Sequence, residues 1–135
     1  PRILITAGPT HEPIDAVRYL GNRSSGRLGI ALAEEASARG LRVTLLLGPT
    51  ARQVQDSRVR VERFQTTSDL ESLLAEHFPE SEMLVMAAAV ADYRVKDAPG
   101  GIPGEGKMRR GDGPLVLELQ PTPDLLAGCS SRRRR

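Results

Sequence analysis

One segment has the residue types of a phosphate-binding turn. Residues 21–29 read GNRSSGRLG and lie between a strand-like region and a segment with helical spacing. Glycine lets the backbone approach a ligand, and the free amides of a helix start favour an anion. The segment is not a Walker A loop, because Arg27 and Leu28 stand where lysine and serine or threonine are needed, and it is not a Gly-x-Gly-x-x-Gly fingerprint. A capped helix with close-packing glycines is the alternative interpretation.

A second candidate segment closes the strand predicted at residues 83–88. Residues 87–93 read AAAVADY, so very small side chains are followed by the carboxylate of Asp92. Small residues at a strand end leave room for a ring to lie against the backbone. The alternative is tight packing of a helix on the sheet, with Asp92 capping a turn.

Residues 99–114 form a third candidate segment. They contain six glycines and three prolines, which predicts a mobile loop or lid rather than a regular element. Lys107, Arg109 and Arg110 lie on it and could close onto phosphates. A solvated run of charge is the alternative interpretation.

The loop after the first predicted strand is long and polar. It reads GPTHEPID over residues 8–15 and could shape a site. Glu12 and Asp15 are interpreted as residues that form a turn or pair with Arg18.

Composition excludes several classes of protein. The chain has 135 residues, which suits one globular domain, and its single cysteine, Cys129, excludes disulfide scaffolds and zinc modules. Without the four arginines at 132–135, 15 basic residues stand against 17 acidic ones, so no nucleic-acid surface is predicted. No apolar run is long enough to span a bilayer and no secretory signal is visible, so a cytoplasmic protein is expected, with no membrane partner.

The order of the predicted elements indicates an α/β fold. Buried strands are predicted at residues 2–7 and 41–47, a more alternating strand at 59–64, and further strands at 83–88 and 115–119. Helices are predicted from Ser24 to Gly40 and from a Ser68-x-x-Glu71 capping box, with another starting at Thr122 and Pro123. Strands that alternate with helices form a mainly parallel sheet with helices on both faces, and ligands bind beyond its carboxyl ends.

Four motifs together carry a family resemblance. ITAGPTHEPID, VRYLGNRSSGRLG, AAAVADY and PTPDLL occur in this order, and the resemblance that they carry extends over nearly all of residues 2–128. This pattern resembles the phosphopantothenoylcysteine synthetase family, whose bacterial members use CTP and Mg²⁺ to join 4′-phosphopantothenate to cysteine in coenzyme A biosynthesis. The resemblance implies a Rossmann-like three-layer domain acting as a homodimer, often fused to a flavin-dependent decarboxylase. It also implies that residues 1–128 are a synthetase domain without its C-terminal strands, followed by an arginine-rich tail at 129–135.

The resemblance also implies roles for individual residues. Asn22 matches the asparagine that holds the acyl-cytidylate, and Lys107 matches a nucleotide-binding lid lysine needed to form it. Arg18 falls in a segment that binds substrate across the dimer, and Ala89 is a further substrate-binding position. The positions that match the nucleotide-binding motifs are Ser24, Ser25, Gly26, Ala88, Ala89 and Asp92. No protein ligand to a metal is implied.

The sequence departs from the family pattern in the lid, where Arg109 and Arg110 replace two lysines. A guanidinium keeps the charge but not the point-charge geometry, so supporting roles are expected for both. Two other functions stay open. One is a nicotinamide-dependent reductase, although Gly48 and Pro49 follow the second strand where an acidic residue would hold a ribose. The other is an inactive fragment that still binds nucleotide.

Overall fold

The computed structural model describes residues 1–96 and 109–133 and contains eight strands and three α-helices in that part of the chain. Their order is β1 (Arg2–Ala7), β2 (His11–Pro13), β3 (Tyr19–Gly21), α1 (Arg27–Ala38), β4 (Arg42–Leu47), β5 (Arg60–Arg63), α2 (Thr67–His77), a 3-10 turn (Phe78–Glu80), β6 (Met83–Met86), β7 (Tyr93–Val95), β8 (Leu119–Pro121) and α3 (Leu125–Arg133).

A four-stranded parallel sheet forms the centre of the molecule. Its strand order is β5-β4-β1-β6, and β1 pairs in parallel with both of its neighbours. In that register Ile5 lies between Leu45 and Val85. Because β1 is surrounded, its residues after Arg2 are buried on both faces, which explains the continuous apolar run in the sequence.

The two faces of the sheet are covered by different helices. Alternate β1 residues, Ile3 and Ile5, pack in one core cluster with Ile30 and Ala33 of α1. On the other face, Leu4 packs in a second cluster with side chains of α2 and α3. The result is a Rossmann-like three-layer α/β domain, which confirms the predicted fold class.

Two short antiparallel ribbons stand outside the central sheet. β2 pairs with β3, and β7 pairs with β8. The strand predicted at 115–119 is wrong in its bounds, because β8 begins at Leu119 and ends at Pro121. Leu115 and Val116 are 59% and 80% exposed, so the alternation of this segment does not face a core.

The helix starts also differ from the predicted ones. α2 is capped by Thr66, which exchanges hydrogen bonds with Asp69, so the capping box lies two residues before the predicted Ser68. α3 begins at Leu125, where Asp124 Oδ1 accepts the Ala127 amide at 2.9 Å. Thr122 is not the cap, because its hydroxyl donates to the carbonyl of Ala91.

The predicted lid and tail are described in part. Residues 109–114 are exposed, while the rest of the Gly- and Pro-rich segment, including Lys107, lies outside the described residues. Residues 129–133 belong to α3, and Cys129 is buried in the second core cluster. Among residues 1–96 and 109–133, none of the helices is long and apolar enough to cross a membrane.

Gly29 of α1 lies very close to β1, and this contact leads to a stability prediction. A Cβ at Gly29 of α1 would lie 2.3 Å from Ala7 Cβ and 3.0 Å from Ala7 Cα. Gly29→Ala therefore forces α1 away from β1, and we expect a loss of about 1–3 kcal/mol in the free energy of unfolding, measured in urea.

Gly128→Ala is the matched control, because a Cβ there meets nothing within 4 Å and Gly128 also lies in a helix. Alanine should stabilise that helix by up to about 1 kcal/mol. Equal stability of the Gly29→Ala protein and the unmodified protein would show that the helix contact does not constrain the fold.

Candidate functional site

The candidate site lies at the edge of the sheet where β1, β4 and β6 end. The loops after β1 and β4 touch there, since the Gly48 amide donates to the Ala7 carbonyl at 2.8 Å. Gly8 has φ +80°, and a Cβ on it would lie 3.2 Å from the Gly48 backbone nitrogen. A side chain at Gly8 would therefore be strained. Glycine at this position lets the loops after β1 and β4 approach each other closely.

The start of α1 opens onto this edge. Gly26 is its N-cap with φ +75°, and no side chain caps it. The first bond of the helical ladder runs from the Ile30 amide to the Gly26 carbonyl at 3.0 Å, so the amides of Leu28 and Gly29 precede the ladder. These amides, together with the helix dipole, favour an anion at this point.

Hydroxyl groups surround the same helix start. Ser25 Oγ accepts the Arg27 amide at 3.3 Å, and Thr50 Oγ1 donates to the Ser25 carbonyl at 2.7 Å. The Thr50 bond ties the loop after β4 to the turn before α1. Ser25 is thereby held beside Gly26, and Ser24, Ser25 and Gly26 line the same cleft.

A cleft of about 420 Å³ lies over the helix start. Its lining comes from the α1 region and the end of β6: Ser24, Ser25, Gly26, Arg27, Leu28, Gly29, Ala31 and Ala87. Small side chains line most of it, and the exposed Arg27 adds a cation that the motif analysis did not single out. The structure therefore brings the serine turn and Ala87 to one cleft. Ala88 and Ala89 are not among its described lining residues, and Asp92 lines a separate cleft with Ala91 and Thr122.

The alanine loop after β6 runs beside the loop after β1. The Ala88 amide donates to Thr6 Oγ1 at 3.2 Å, and the Ala89 amide donates to the Gly8 carbonyl at 2.8 Å. Ala88 and Ala89 are half-buried, whereas Asp92 is exposed. The alternative role of Asp92 as a turn cap finds no support, since its side chain makes no hydrogen bond within the described residues.

Asn22 lies against the same loop. Its Nδ2 donates to the Val90 carbonyl at 3.3 Å, which is a long hydrogen bond from an exposed side chain. Asn22 is therefore brought to the alanine loop from the turn that precedes α1. The amide group is held loosely enough to exchange this partner for a ligand.

Arg18 lies on the hairpin formed by β2 and β3. Its guanidinium is 2.6 Å from Asp15 Oδ2, and Asp15 Oδ1 accepts the backbone amides of Val17 and Arg18. The interpretation of Asp15 as a turn residue paired with Arg18 is confirmed. The ion pair also fixes the conformation of the hairpin tip.

Glu12 has a different partner from the predicted one. It is 2% exposed, and Oε2 accepts the Thr67 amide at 3.0 Å. A carboxylate at this position complements the positive end of the α2 dipole. Glu12 therefore joins the hairpin to α2 instead of pairing with Arg18.

A separate charged cluster lies away from this edge, where α2 ends beside β5. His77 Nε2 lies 2.5 Å from Glu62 Oε2, and Glu76 is 3.9 Å from the same nitrogen. The hydrogen bond from His77 lowers the pKa of Glu62, and Arg60 also pairs with Glu62 at 2.7 Å. These two partners give Glu62 a structural role, because its bond to His77 connects β5 to α2.

Several threonines that organise the site were not predicted from the sequence motifs to do so. Thr6, Thr10, Thr50 and Thr122 all hold backbone groups of the site loops by their hydroxyls. Threonine at a strand end resembles any β-branched strand residue in a sequence, so no local signal distinguishes these four. Three of the four follow a proline, and Gly-Pro-Thr occurs after both β1 and β4.

Comparison with known proteins gives a family match over the whole chain. The family described as the DNA/pantothenate metabolism flavoprotein C-terminal domain matches residues 1–135. The coenzyme A biosynthesis bifunctional protein CoaBC of Mycobacterium bovis is 44% identical over 133 residues, which are 98% of this chain and 31% of that protein. The chain thus spans about a third of the length of the curated relatives it matches.

Two further matches agree in extent. A cysteine/cysteine sulfinic acid decarboxylase from an unknown prokaryotic organism is 38% identical over 134 residues, 99% of this chain and 36% of that protein. The crystal structure of the C-terminal domain of a CoaBC protein superposes with a TM-score of 0.79 at 36% identity, covering 96% of this chain and 58% of that one.

Proposed function

Because the chain belongs to the family of DNA/pantothenate metabolism flavoprotein C-terminal domains, we propose that its gene product is a ligase of coenzyme A biosynthesis. It joins 4′-phosphopantothenate to cysteine and converts CTP to CMP and pyrophosphate. The observation that carries the proposal is the uncapped start of α1, with its amides, Ser24 and Ser25 facing a cleft beside the alanine loop. The CoaBC relatives are named for coenzyme A biosynthesis, which supports a place for this reaction in the same biosynthesis.

The first half-reaction is proposed to occur over the helix start. A carboxylate oxygen of 4′-phosphopantothenate attacks the α-phosphorus of CTP, and the bond to the β-phosphate oxygen breaks, so that pyrophosphate leaves and an acyl-cytidylate forms. Negative charge accumulates on phosphoryl oxygens, which the amides at the start of α1 stabilise. Lys107 supplies a point charge, while Arg109 and Arg110 support it.

The second half-reaction uses the amide of Asn22. The amine of cysteine attacks the acyl carbonyl, the bond to the cytidylate oxygen breaks, and CMP leaves. Asn22 Nδ2 donates a hydrogen bond that orients the carbonyl and stabilises its oxyanion, in exchange for the long bond to the Val90 carbonyl. Ala88, Ala89 and Asp92 are proposed to contact the nucleotide, with Ala89 also adjoining the substrate.

Mg²⁺ does not fit the described residues as a protein-held ion. The cleft over α1 is lined by hydroxyls, amides and Arg27, with no carboxylate among its described lining residues. Magnesium is usually held by carboxylates together with substrate phosphates. We therefore assign no residue of this chain as its ligand.

We propose that the protein is a homodimer and that its polypeptide carries a second domain. The hairpin of β2 and β3 exposes Val17 and Tyr19 to 60% and 56%, and Arg18 lies between them in the sequence. We propose that this hairpin lies in a homodimer interface, where Arg18, paired with Asp15, adjoins the substrate of the partner subunit. The relatives are named bifunctional proteins, and a decarboxylase domain in the same polypeptide is proposed here as well.

The reductase alternative is disfavoured by the loop after β4. Gly48, Pro49 and Thr50 follow the strand, and Thr50 is engaged with Ser25. The loop offers no carboxylate to a ribose at the end of β4. Titration of NADH and NADPH against CTP separates the two functions, and comparing CTP binding with turnover separates an enzyme from an inactive chain.

The direct test is pyrophosphate release and product formation by the full-length gene product. Both should require CTP, while product formation should also require cysteine. ATP in place of CTP measures the nucleotide preference. Product formation that needs no nucleotide would overturn the proposal.

We predict that Asn22→Ala leaves pyrophosphate release within a few-fold of normal and slows transfer to cysteine by roughly 10²–10³-fold, as expected for one lost oxyanion donor. Rapid-quench measurement of the two half-reactions gives both rates. Asn22→Asp is the matched variant, because it keeps the size of the side chain and removes the N–H donor. An equal fall in the rates of both half-reactions would contradict a specific role of Asn22 in the transfer to cysteine.

We predict that Lys107→Gln abolishes pyrophosphate release with no change in melting temperature, since the substitution removes the proposed point charge and keeps a long polar side chain. Lys96→Gln is the matched control, because Lys96 is the only other lysine in the chain and is exposed, 3.7 Å from Glu118. The control should retain normal release. Normal release by Lys107→Gln would show that Lys107 is an ordinary solvated charge.

A further inference from the structure

Two threonine hydroxyls form hydrogen bonds to the amide and the carbonyl of Ala91. Its amide donates to Thr10 Oγ1 at 2.9 Å, and its carbonyl accepts from Thr122 Oγ1 at 2.6 Å. Thr10 is fully buried and belongs to the loop after β1, whereas Thr122 follows β8. The alanine loop is therefore clamped between two segments that are distant in the sequence.

Backbone hydrogen bonds extend the same clamp. The Thr10 amide donates to the Ala89 carbonyl at 3.2 Å, and the Thr122 amide donates to the Asp92 carbonyl at 2.9 Å. Each threonine thus uses both its side chain and its main chain on the alanine loop. Such paired bonds fix the orientation of successive peptide planes, not only the position of the loop.

We infer that Thr10 and Thr122 are positioning residues for nucleotide binding. Their hydroxyls orient the peptide planes around Ala91, and so set Ala88, Ala89 and Asp92 against the nucleotide. The inference rests on the proposed function. It assigns the two threonines no direct contact with the substrate.

Energetics favour a positional effect over a gain of net stability. A buried hydrogen bond contributes little net stability to folding, but loss of one partner leaves the buried amide of Ala91 unsatisfied. The loop relieves that cost by rotating the peptide toward another acceptor. A small rotation at Ala91 is carried to Ala89 and Asp92, and reaction rates fall steeply with misplacement of about 1 Å.

The variants are Thr10→Val, Thr10→Ser and Thr122→Val in the full-length gene product. Valine replaces the hydroxyl with a methyl of similar size, whereas serine keeps it. Thr67→Val is the matched control, because Thr67 is as buried as Thr10 and its hydroxyl has no hydrogen-bond partner in the described part of the chain.

The first readout is amide hydrogen exchange of residues 88–92. Thr10→Val and Thr122→Val should each accelerate exchange in this loop by about tenfold or more, because the clamp that closes it is lost. Thr10→Ser and Thr67→Val should leave it unchanged. Unchanged exchange in the two valine variants at the clamp would overturn the inference whatever the activity of the protein.

The second readout is the KM for CTP in pyrophosphate release, measured well below the melting temperature. Thr10→Val and Thr122→Val should raise KM about tenfold, Thr10→Ser should restore it within about twofold, and Thr67→Val should leave it normal. A lowered melting temperature with normal KM would mean that the threonines are merely structural. Failure of the unmodified protein to use CTP would instead refute the proposed function, and the positioning role with it.

Discussion

The close contact of α1 with β1 is the constraint on which the site depends. Gly29 lies directly against Ala7, so the first turn of α1 is pressed onto the carboxyl end of the central strand. Gly8 and Gly26, both with positive φ, allow the chain to turn at this place without side chains in the way. As a consequence, the start of α1 and the end of β6 line one cleft. The loop after β4 is bonded to Ala7 through Gly48 and to Ser25 through Thr50. A larger residue at Gly29 would move the helix start away from every other part of the site.

Hydrogen bonds between threonine hydroxyls and backbone groups, rather than charged side chains, shape this edge of the sheet. The alanine loop is held by hydroxyls of Thr6, Thr10 and Thr122, and the serine turn is held by Thr50. A hydroxyl that replaces a backbone partner satisfies a buried polar group without introducing a charge. The loops can therefore be fixed close to the core while their small side chains leave the cleft open. Among the described residues that line the cleft, the exposed Arg27 supplies the positive charge.

The sequence predicted the architecture well because its signals are local. The continuous apolar run of β1 and the glycine pattern around α1 depend on neighbours a few residues away, and the parallel sheet follows from their order. Contacts between distant segments could not be predicted in this way. Glu12 bonds to Thr67, 55 residues further on, although Arg18 was the nearer candidate in the sequence. The same limit applies to β8, since the exposure of Leu115 depends on whether a core lies beside it.

The hairpin of β2 and β3 connects the two sides of the domain in a way that bears on the site. Glu12 anchors its base to the start of α2, and the pair of Asp15 and Arg18 fixes its tip. The hairpin leads directly into Asn22, whose amide lies on the alanine loop at Val90. A carboxylate buried at a helix start is costly to displace, because the charge would lose its amide partner and remain out of water. The buried Glu12 carboxylate and the pair of Asp15 and Arg18 therefore hold the hairpin that leads into Asn22, while the Asn22 side chain itself makes only the long bond to the Val90 carbonyl.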